Sequence, residues 1–281
     1  MTSPCILITG CSSGIGLCVA EGLAARGYRV FATARKAQDV AMLQARGLEA
    51  LRLDLDDTAS IHAALDEVLA RSGGRLDALF NNAGYGQPGA VEDLSRSALR
   101  AQFETNLFGM IELTNLVLPV MRRQGAGRIV INSSLLGYVA LAFRCAYNAS
   151  KFAIEGITDT LRLELRGSGV HVCLIEPGPI KSRFRSNAFG QYQRNIDAEE
   201  SFHRDTYRKL EQRLIKPGPV APFTLGPEAV LQKVIHALES ARPKPRYYVT
   251  KPAYFLAYCK RLLPQRLMDR ILGAISDGEV K

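Results

Sequence analysis

Tryptophan is missing from the 281 residues, and histidine appears only four times. Six cysteines are scattered, at Cys5, Cys11, Cys18, Cys145, Cys173 and Cys259, and none forms a C-x-x-C pair. Only His171 lies near one, two residues before Cys173, and no second ligand pair accompanies them. A structural zinc site, any other metal site or a disulfide framework is therefore not expected. Cys5 and Cys173 sit in apolar runs, where reduced core cysteine is the plain reading. No stretch reaches about 18 uninterrupted apolar residues, so no spanning helix is expected. The N-terminal "MTSPCILITG" has neither a basic leader nor a signal-type apolar core, and "CILITG" reads as a strand. These absences point to a soluble, cytoplasmic protein. A generally basic coat is also lacking. The net charge is +9, but residues 201–281 hold 15 Lys/Arg against 7 Asp/Glu, and the first 200 residues are nearly neutral. That distribution argues against a nucleic-acid partner. It leaves a basic C-terminal surface for an acidic substrate, a partner or peripheral membrane contact.

Short apolar or β-branched runs do recur: 5–10, 28–35, 48–55, 76–84, 127–134 and 170–178. Amphipathic stretches at 15–26, 58–71, 98–123 and 147–166 lie between them. Strands this apolar, without strict alternation, are expected where both faces of a sheet are covered. The alternation predicts an α/β fold, a doubly wound parallel sheet with helices on both faces. "RYYV" (246–249) supplies a last strand at the edge, for about seven in all. No repeat or low-complexity linker appears. The chain reads as a single domain over 1–281, with a C-terminal helical appendage over about 251–281.

"TGCSSGIG" (9–16) follows the first strand and opens the first helix. Gly10, Gly14 and Gly16 stand where a Cβ would block a tight turn, phosphates or helix packing. The helix start then offers free N–H groups to a pyrophosphate. Ser12, Ser13 and Ile15 complete the contact set of this loop. The second strand ends "FATARK" (31–36), with Ala34 where an NAD binder usually places an acid, and with Arg35 and Lys36 next. A guanidinium suits a 2′-phosphate, so NADP(H) is favoured over NAD(H). The plain alternative is that Arg35 is a solvated charge.

"YNASK" (147–151) sets a tyrosine and a lysine four apart at the start of a helix. Seen alone, this is most simply a surface pair. It is joined, however, by "LDLDD" (53–57), "NNAG" (81–84), "FETNLFG" (103–109), "INSS" (131–134) and "EPGPIKS" (176–182). With the glycine loop these seven stretches, in this order, resemble the short-chain dehydrogenase/reductase family over roughly residues 4–182. The wording of "TGCSSGIGL", "FATAR" and "YNASKFAIEG" is most similar to its hydroxysteroid and retinol dehydrogenase branch.

The resemblance implies a Rossmann fold and a catalytic tetrad of Asn106, Ser134, Tyr147 and Lys151. It also implies that Asp54 meets the adenine amino group beside Leu55. Asn82, Ala83 and Gly84 would line the ribose side. Pro177, Gly178 and Ile180 would face the nicotinamide, and Tyr147 and Lys151 would touch the cofactor as well. It implies a homodimer or homotetramer, with helices near 98–123 and 147–166 across the contact.

The chemistry explains the pair. Reducing a ketone requires hydride at carbon and a proton at oxygen. Tyrosine, with an unperturbed pKa near 10, is a sluggish acid–base at neutral pH. A lysine cation one turn away is expected to favour the phenolate. Ser134 would hold the substrate oxygen, and Asn106, within a helix, would support a water chain to Lys151. His62 and His171 belong to no catalytic constellation.

The expected substrate border is apolar or aromatic: Tyr85, then Leu135, Val139, Leu141 and Phe143 between Ser134 and Tyr147. Residues 183–223, with six aromatics, read as a lid. A lipophilic alcohol, ketone or aldehyde follows. The equal alternative is that these aromatics only pack the lid, and Arg183 and Arg185 would suit a carboxylate or acyl-carrier substrate. Pro264 should break the tail into two helices of two or three turns, covering the pocket, a partner or an anionic membrane surface. Competing readings are epimerisation or dehydration on the same fold, and a redox-sensing regulator that binds NADP(H) without useful turnover.

Overall fold

The apolar runs become seven parallel strands in the order β3-β2-β1-β4-β5-β6-β7. The computed structural model describes residues 3–279. The strands are β1 (Cys5–Ile8), β2 (Arg29–Ala34), β3 (Glu49–Arg52), β4 (Ala78–Asn81), β5 (Gly127–Asn132), β6 (Val170–Pro177) and β7 (Arg246–Val249). Around them lie α1 (Gly14–Ala25), α2 (Ala37–Ala45), α3 (Thr58–Ser72), α4 (Arg96–Phe103), α5 (Gly109–Gln124) and α6 (Cys145–Glu164). They are followed by α7 (Phe184–Asn195), α8 (Arg204–Ile215), α9 (Glu228–Glu239), α10 (Lys251–Leu262) and α11 (Gln265–Glu279). The strand order reverses between β1 and β4. The loops after these two strands therefore part and open a crevice at the carboxyl edge of the sheet.

Strands β1 to β6 each feed two cores. Leu7, Phe31, Leu79, Ile129 and Leu174 enter one, with residues of α3, α5 and α6. Their strand neighbours Ile6, Ile8, Ala32, Phe80 and Cys173 enter the other, with residues of α1 and α9. Neither face is wet, which is why the strands carry no polar alternation. Helix ends follow local chemistry. Asp57 caps α3 by accepting the N–H groups of Ala59 at 3.0 Å and Ser60 at 3.3 Å, and Gly73, at φ +70°, ends it.

Three expectations need correction. The 98–123 stretch is not one helix: α4 stops at Phe103, Glu104–Phe108 make a π turn, and α5 starts at Gly109. Helices α2, α7, α8 and α9 were not read from the sequence. Pro264 does part the tail, but α10 and α11 run 12 and 15 residues, beyond two or three turns. Packing sustains them: Ala253, Leu256 and Met268 bury against Leu135, Leu136, Val139 and Leu141. The tail thus covers the loop that follows Ser134. The outer face of α10 leaves Tyr254, Phe255, Tyr258 and Leu262 exposed.

Within the 183–223 segment, Tyr207 of α8 is fully buried against α7. Its hydroxyl accepts the Ala90 N–H at 2.8 Å and donates to Asp93 at 2.6 Å. Phe143 meets Tyr207 edge-on, with ring centroids 5.6 Å apart. Three of the six lid aromatics, Phe189, Tyr192 and Tyr207, therefore pack one another, while Phe202 and Phe223 face outward.

Candidate active site

The crevice floor is the loop after β1. Gly10 takes φ +71°, a turn conformation that side chains rarely adopt. A Cβ on Gly16 would run into the Gly10 carbonyl and stand 2.6 Å from Asn82 Nδ2. Ser13 begins α1 without a side-chain cap, so the first-turn amides stay open to the crevice. Ser12, Ser13, Gly14 and Ile15 form its half-buried rim. Asn82, after β4, locks this loop: its Nδ2 donates to the Thr9 carbonyl at 3.0 Å, while its N–H and that of Ala83 donate to Thr9 Oγ1 at 2.9 and 3.0 Å. Asn82 Oδ1 in turn accepts Asn132 Nδ2 at 3.0 Å.

At the outer end of the crevice, Arg35 and Lys36 are exposed just past β2, and Arg52 of β3 donates to the Arg35 carbonyl at 3.4 Å. Asp54 is half-buried and Leu55 is buried beside them. At the inner end Pro177 closes β6, and the Gly178 N–H donates to the Val249 carbonyl at 2.9 Å. Ile180 bridges Leu225. Gly84 stands over the Asn106 amide. A glycine cradle that a Cβ would fill, an uncapped helix start and outlying cations fit a nicotinamide dinucleotide.

The structure brings all four expected catalytic side chains to the inner end. Ser134 begins a short 3-10 turn (Leu135–Gly137), and its Oγ accepts the Leu136 N–H at 3.1 Å. Tyr147 lies in the first turn of α6, with the Ser134 hydroxyl near enough to oppose the rise of its pKa. Lys151, one turn on, is only 6% exposed. Its ammonium donates to the Asn132 carbonyl at 2.7 Å and lies 5.6 Å from the Tyr147 ring centre. Asn106 Oδ1 accepts the Tyr85 N–H at 3.0 Å, and its Nδ2 donates to the Tyr85 carbonyl at 3.0 Å and to Ser150 Oγ at 3.1 Å. That clamp uses the widened π turn to reach across to the Tyr85 loop.

The electrostatics differ from the sequence expectation. Burial pushes the Tyr147 phenol up to about 12, opposed by the Ser134 hydroxyl and the Arg144 charge. The Lys151 ammonium, held on the Asn132 carbonyl, does not offset that burial. Burial draws the Lys151 ammonium down to about 8, opposed by Glu155.

Around this centre, Phe184 packs on the Tyr147 ring at 5.2 Å between centroids. Gly86 lies against both, where a Cβ would stand 2.7 Å from Phe184 Cζ. Leu135 and Leu141 are buried in the cluster that the tail completes, and Tyr147 borders it. Burial, then the charge of Asp56, raises the Tyr85 phenol, opposed by Arg35, Arg194 and Thr105. His62 and His171 are surface residues. Sequence reasoning missed Asn132, Gly86 and Arg144. Only Asn132 left a signal, as the residue before the two serines of "INSS". Arg144 pairs with Glu279 of the tail, which also accepts Arg213 of α8 at 2.7 Å. Tail, lid and the start of α6 thus meet on one carboxylate.

A lysine whose folded pKa lies below its unfolded value weakens the fold at low pH, and that penalty fades as pH rises from about 8 towards 10.5. Lys151→Met should therefore be more stable than the parent at neutral pH, by on the order of 3 kcal/mol. The gain should shrink above pH 8. Denaturant melts from pH 6 to 10 check this, and a pH-independent difference would contradict it.

Comparison with known proteins agrees with this geometry. The short chain dehydrogenase family model matches residues 4–193. The oxidoreductase YbbO of Escherichia coli (strain K12) is 45% identical over 95% of this chain and 93% of its own. Human 17-beta-hydroxysteroid dehydrogenase type 1 is 35% identical over 89% of this chain and 79% of its own. A short-chain dehydrogenase/reductase from Burkholderia phymatum, solved in complex with NAD, is 26% identical and superposes with a TM-score of 0.75, covering 96% of this chain and 95% of that one. The fold, the crevice and these relatives identify the chain as an oxidoreductase of the short-chain dehydrogenase/reductase family, near its hydroxysteroid and retinol dehydrogenase branch.

Proposed function

We propose that the protein is an NADP(H)-dependent oxidoreductase interconverting a lipophilic alcohol and its ketone or aldehyde, with Tyr147 as general acid and base. The observation that carries this reading is Tyr147 beside Ser134, with the buried Lys151 ammonium against its ring. The nicotinamide cofactor supplies the hydride in reduction and takes it in oxidation. Tyr147 gives its hydroxyl proton to the substrate oxygen in reduction, and the burial that raises its pKa keeps that proton available. Ser134 donates to the same oxygen as charge develops there. In oxidation the phenolate must form, and the neighbouring ammonium lowers that cost. Asn106 holds Tyr85 and Ser150 in place, beside the point where a proton relay from Lys151 to solvent would begin.

Support for the 2′-phosphate comes from Arg35, Lys36 and Arg52 at the outer end of the crevice, with Ala34 leaving no acid to repel it. Support for a lipophilic substrate comes from Leu135, Leu141 and Phe184 around Tyr147, and from relatives whose names specify hydroxysteroids and retinol. A homodimer or homotetramer is part of the same proposal. Phe108 is exposed on the turn before α5, and Phe152, Ile157 and Leu163 on α6, beside a groove lined by Met110, Ile111 and Leu161.

NADPH oxidation against steroid, retinoid, aliphatic and aromatic carbonyls tests the reaction. Tyr147→Phe should lose about a thousandfold or more in kcat while cofactor binding persists; full activity in that variant would sink the mechanism. Arg35→Ala should narrow the NADPH over NADH preference at least about tenfold in kcat/KM, through loss of a charge-assisted phosphate contact, and an unchanged ratio would remove Arg35 from the site. Sedimentation velocity should show the parent as an oligomer and Ile157→Glu as a monomer, since a buried unpaired charge opposes association. A parental monomer would end that part.

A further inference from the structure

The last strand carries a charge network that the proposed reaction does not use. Arg246, at the start of β7, donates to Glu155 Oε2, to Glu176 Oε1 at 2.6 Å and to Asp159 Oδ2 at 2.6 Å. Glu155 lies one turn beyond Lys151 on α6. Its Oε1 accepts the Ser133 hydroxyl at 2.5 Å, and Ser133 is the residue before Ser134. Glu176 has no exposed surface, and its Oε2 has no partner. It is followed directly by Pro177 and Gly178. One network therefore holds the neighbours of the serine, of the lysine and of the inner crevice loop.

Burial and hydrogen-bond geometry decide its state. Three carboxylates face one guanidinium, but Asp159 has a second cation, Arg162, at 2.7 Å. Glu155 and Glu176 are left to share Arg246. Lys151, a turn away, offsets part of the Glu155 charge, whereas Glu176 is fully buried and has no second cation, so the proton stays on Glu176. Both oxygens of Glu155 are filled by donors, which suits the carboxylate. Glu176 meets one donor and has a bare oxygen, which suits the acid. Burial, then the charge of Glu155, pushes Glu176 up to about 8. The Tyr138 and Tyr248 phenols also face Glu176, and burial pushes both up, so they add no charge near neutrality. One proton leaves Glu155, Glu176 and Arg246 neutral as a group, with a carboxylate on the Lys151 side.

We propose that Glu155, Glu176 and Arg246 form a one-proton brace that positions Ser134 through Ser133 and gives the buried Lys151 ammonium its counter-charge. All three are positioning residues, and none reaches the reacting atoms. A carboxylate in direct contact would capture the ammonium. One helical turn away, it steadies the charge and leaves Lys151 on the Asn132 carbonyl beside Tyr147. The assignment rests on the reading of Tyr147 and Lys151 given above.

Two measurements test it. The first is the pH profile of kcat for carbonyl reduction. Glu155→Gln should move the alkaline limb to lower pH by about one unit, because the ammonium loses the charge that sustains it. Glu176→Gln replaces a neutral acid and should leave the limb in place. Coincident limbs in the parent and Glu155→Gln would overturn the counter-charge. Should Glu155→Gln fail to fold, Ser133→Ala removes only the tie to the serine. It should lower kcat about tenfold at unchanged cofactor affinity, and a parental kcat would overturn the positioning role. The second measurement needs no turnover. The folded pKa of Glu176 lies above its unfolded value, so its stability is present at low pH and lost as pH rises towards about 8. Glu176→Gln should match the parental Tm near pH 5 and exceed it at pH 9. A Tm difference constant with pH would overturn the shared proton. If the parent reduces no carbonyl, the proposed reaction fails, while these melts still judge the brace.

Discussion

A lysine ammonium taken almost wholly out of water is the constraint around which this structure is arranged. Lys151 must keep a charge that burial opposes. It does so through one strong acceptor, the Asn132 carbonyl, one aromatic ring, Tyr147, and one carboxylate a turn away, Glu155. The Asn132 side chain continues to Asn82, and Asn82 to Thr9 and Gly10. The glycine loop and the acid–base group are therefore two ends of one hydrogen-bonded chain across the strand-order reversal. A shift at either end displaces the other. The cost is accepted locally because the two-sided apolar sheet supplies the stability.

The surroundings repeat this economy. The tail does not hang from the domain; it buries the loop after Ser134. The lid does not merely lie above Tyr147; Phe184 packs on its ring while Tyr207 ties the lid to the chain at Ala90 and Asp93. Both elements meet the start of α6 through Arg144, Arg213 and Glu279. Segments more than 60 residues apart in sequence thus meet near Tyr147, joined by ion pairs and apolar packing rather than by backbone pairing.

Much of this was legible from the sequence, for physical reasons. Strands covered on both faces must be continuously apolar, and six runs of that kind, with "RYYV", gave all seven strands in the right places. A glycine loop between the first strand and first helix has few other uses. "YNASK" gained its meaning only beside "INSS" and "NNAG". What stayed hidden depends on distant partners. The π turn at Asn106 follows from the Tyr85 backbone, 21 residues earlier. The tail helices outrun their local propensity because Leu135 to Leu141 cover one side of them. Helix α2, "AQDVAMLQA", buries Leu43 alone and so leaves little periodic signal. Arg246 looks like an ordinary strand-edge arginine until the fold brings it to Glu176 and Glu155, 70 and 91 residues away. The Tyr147 pKa was expected to fall beside a lysine, and burial outweighed that.

The most direct test of the central claim is a nitrogen-15 NMR titration of the Lys151 ammonium, assigned by comparison with Lys151→Met. A midpoint near 8, with the cation present at neutral pH, is the expected result. A midpoint at the ordinary lysine value of about 10.5 would mean that the ammonium is solvated, and that neither the buried charge nor the residues arranged around it set the chemistry of Tyr147.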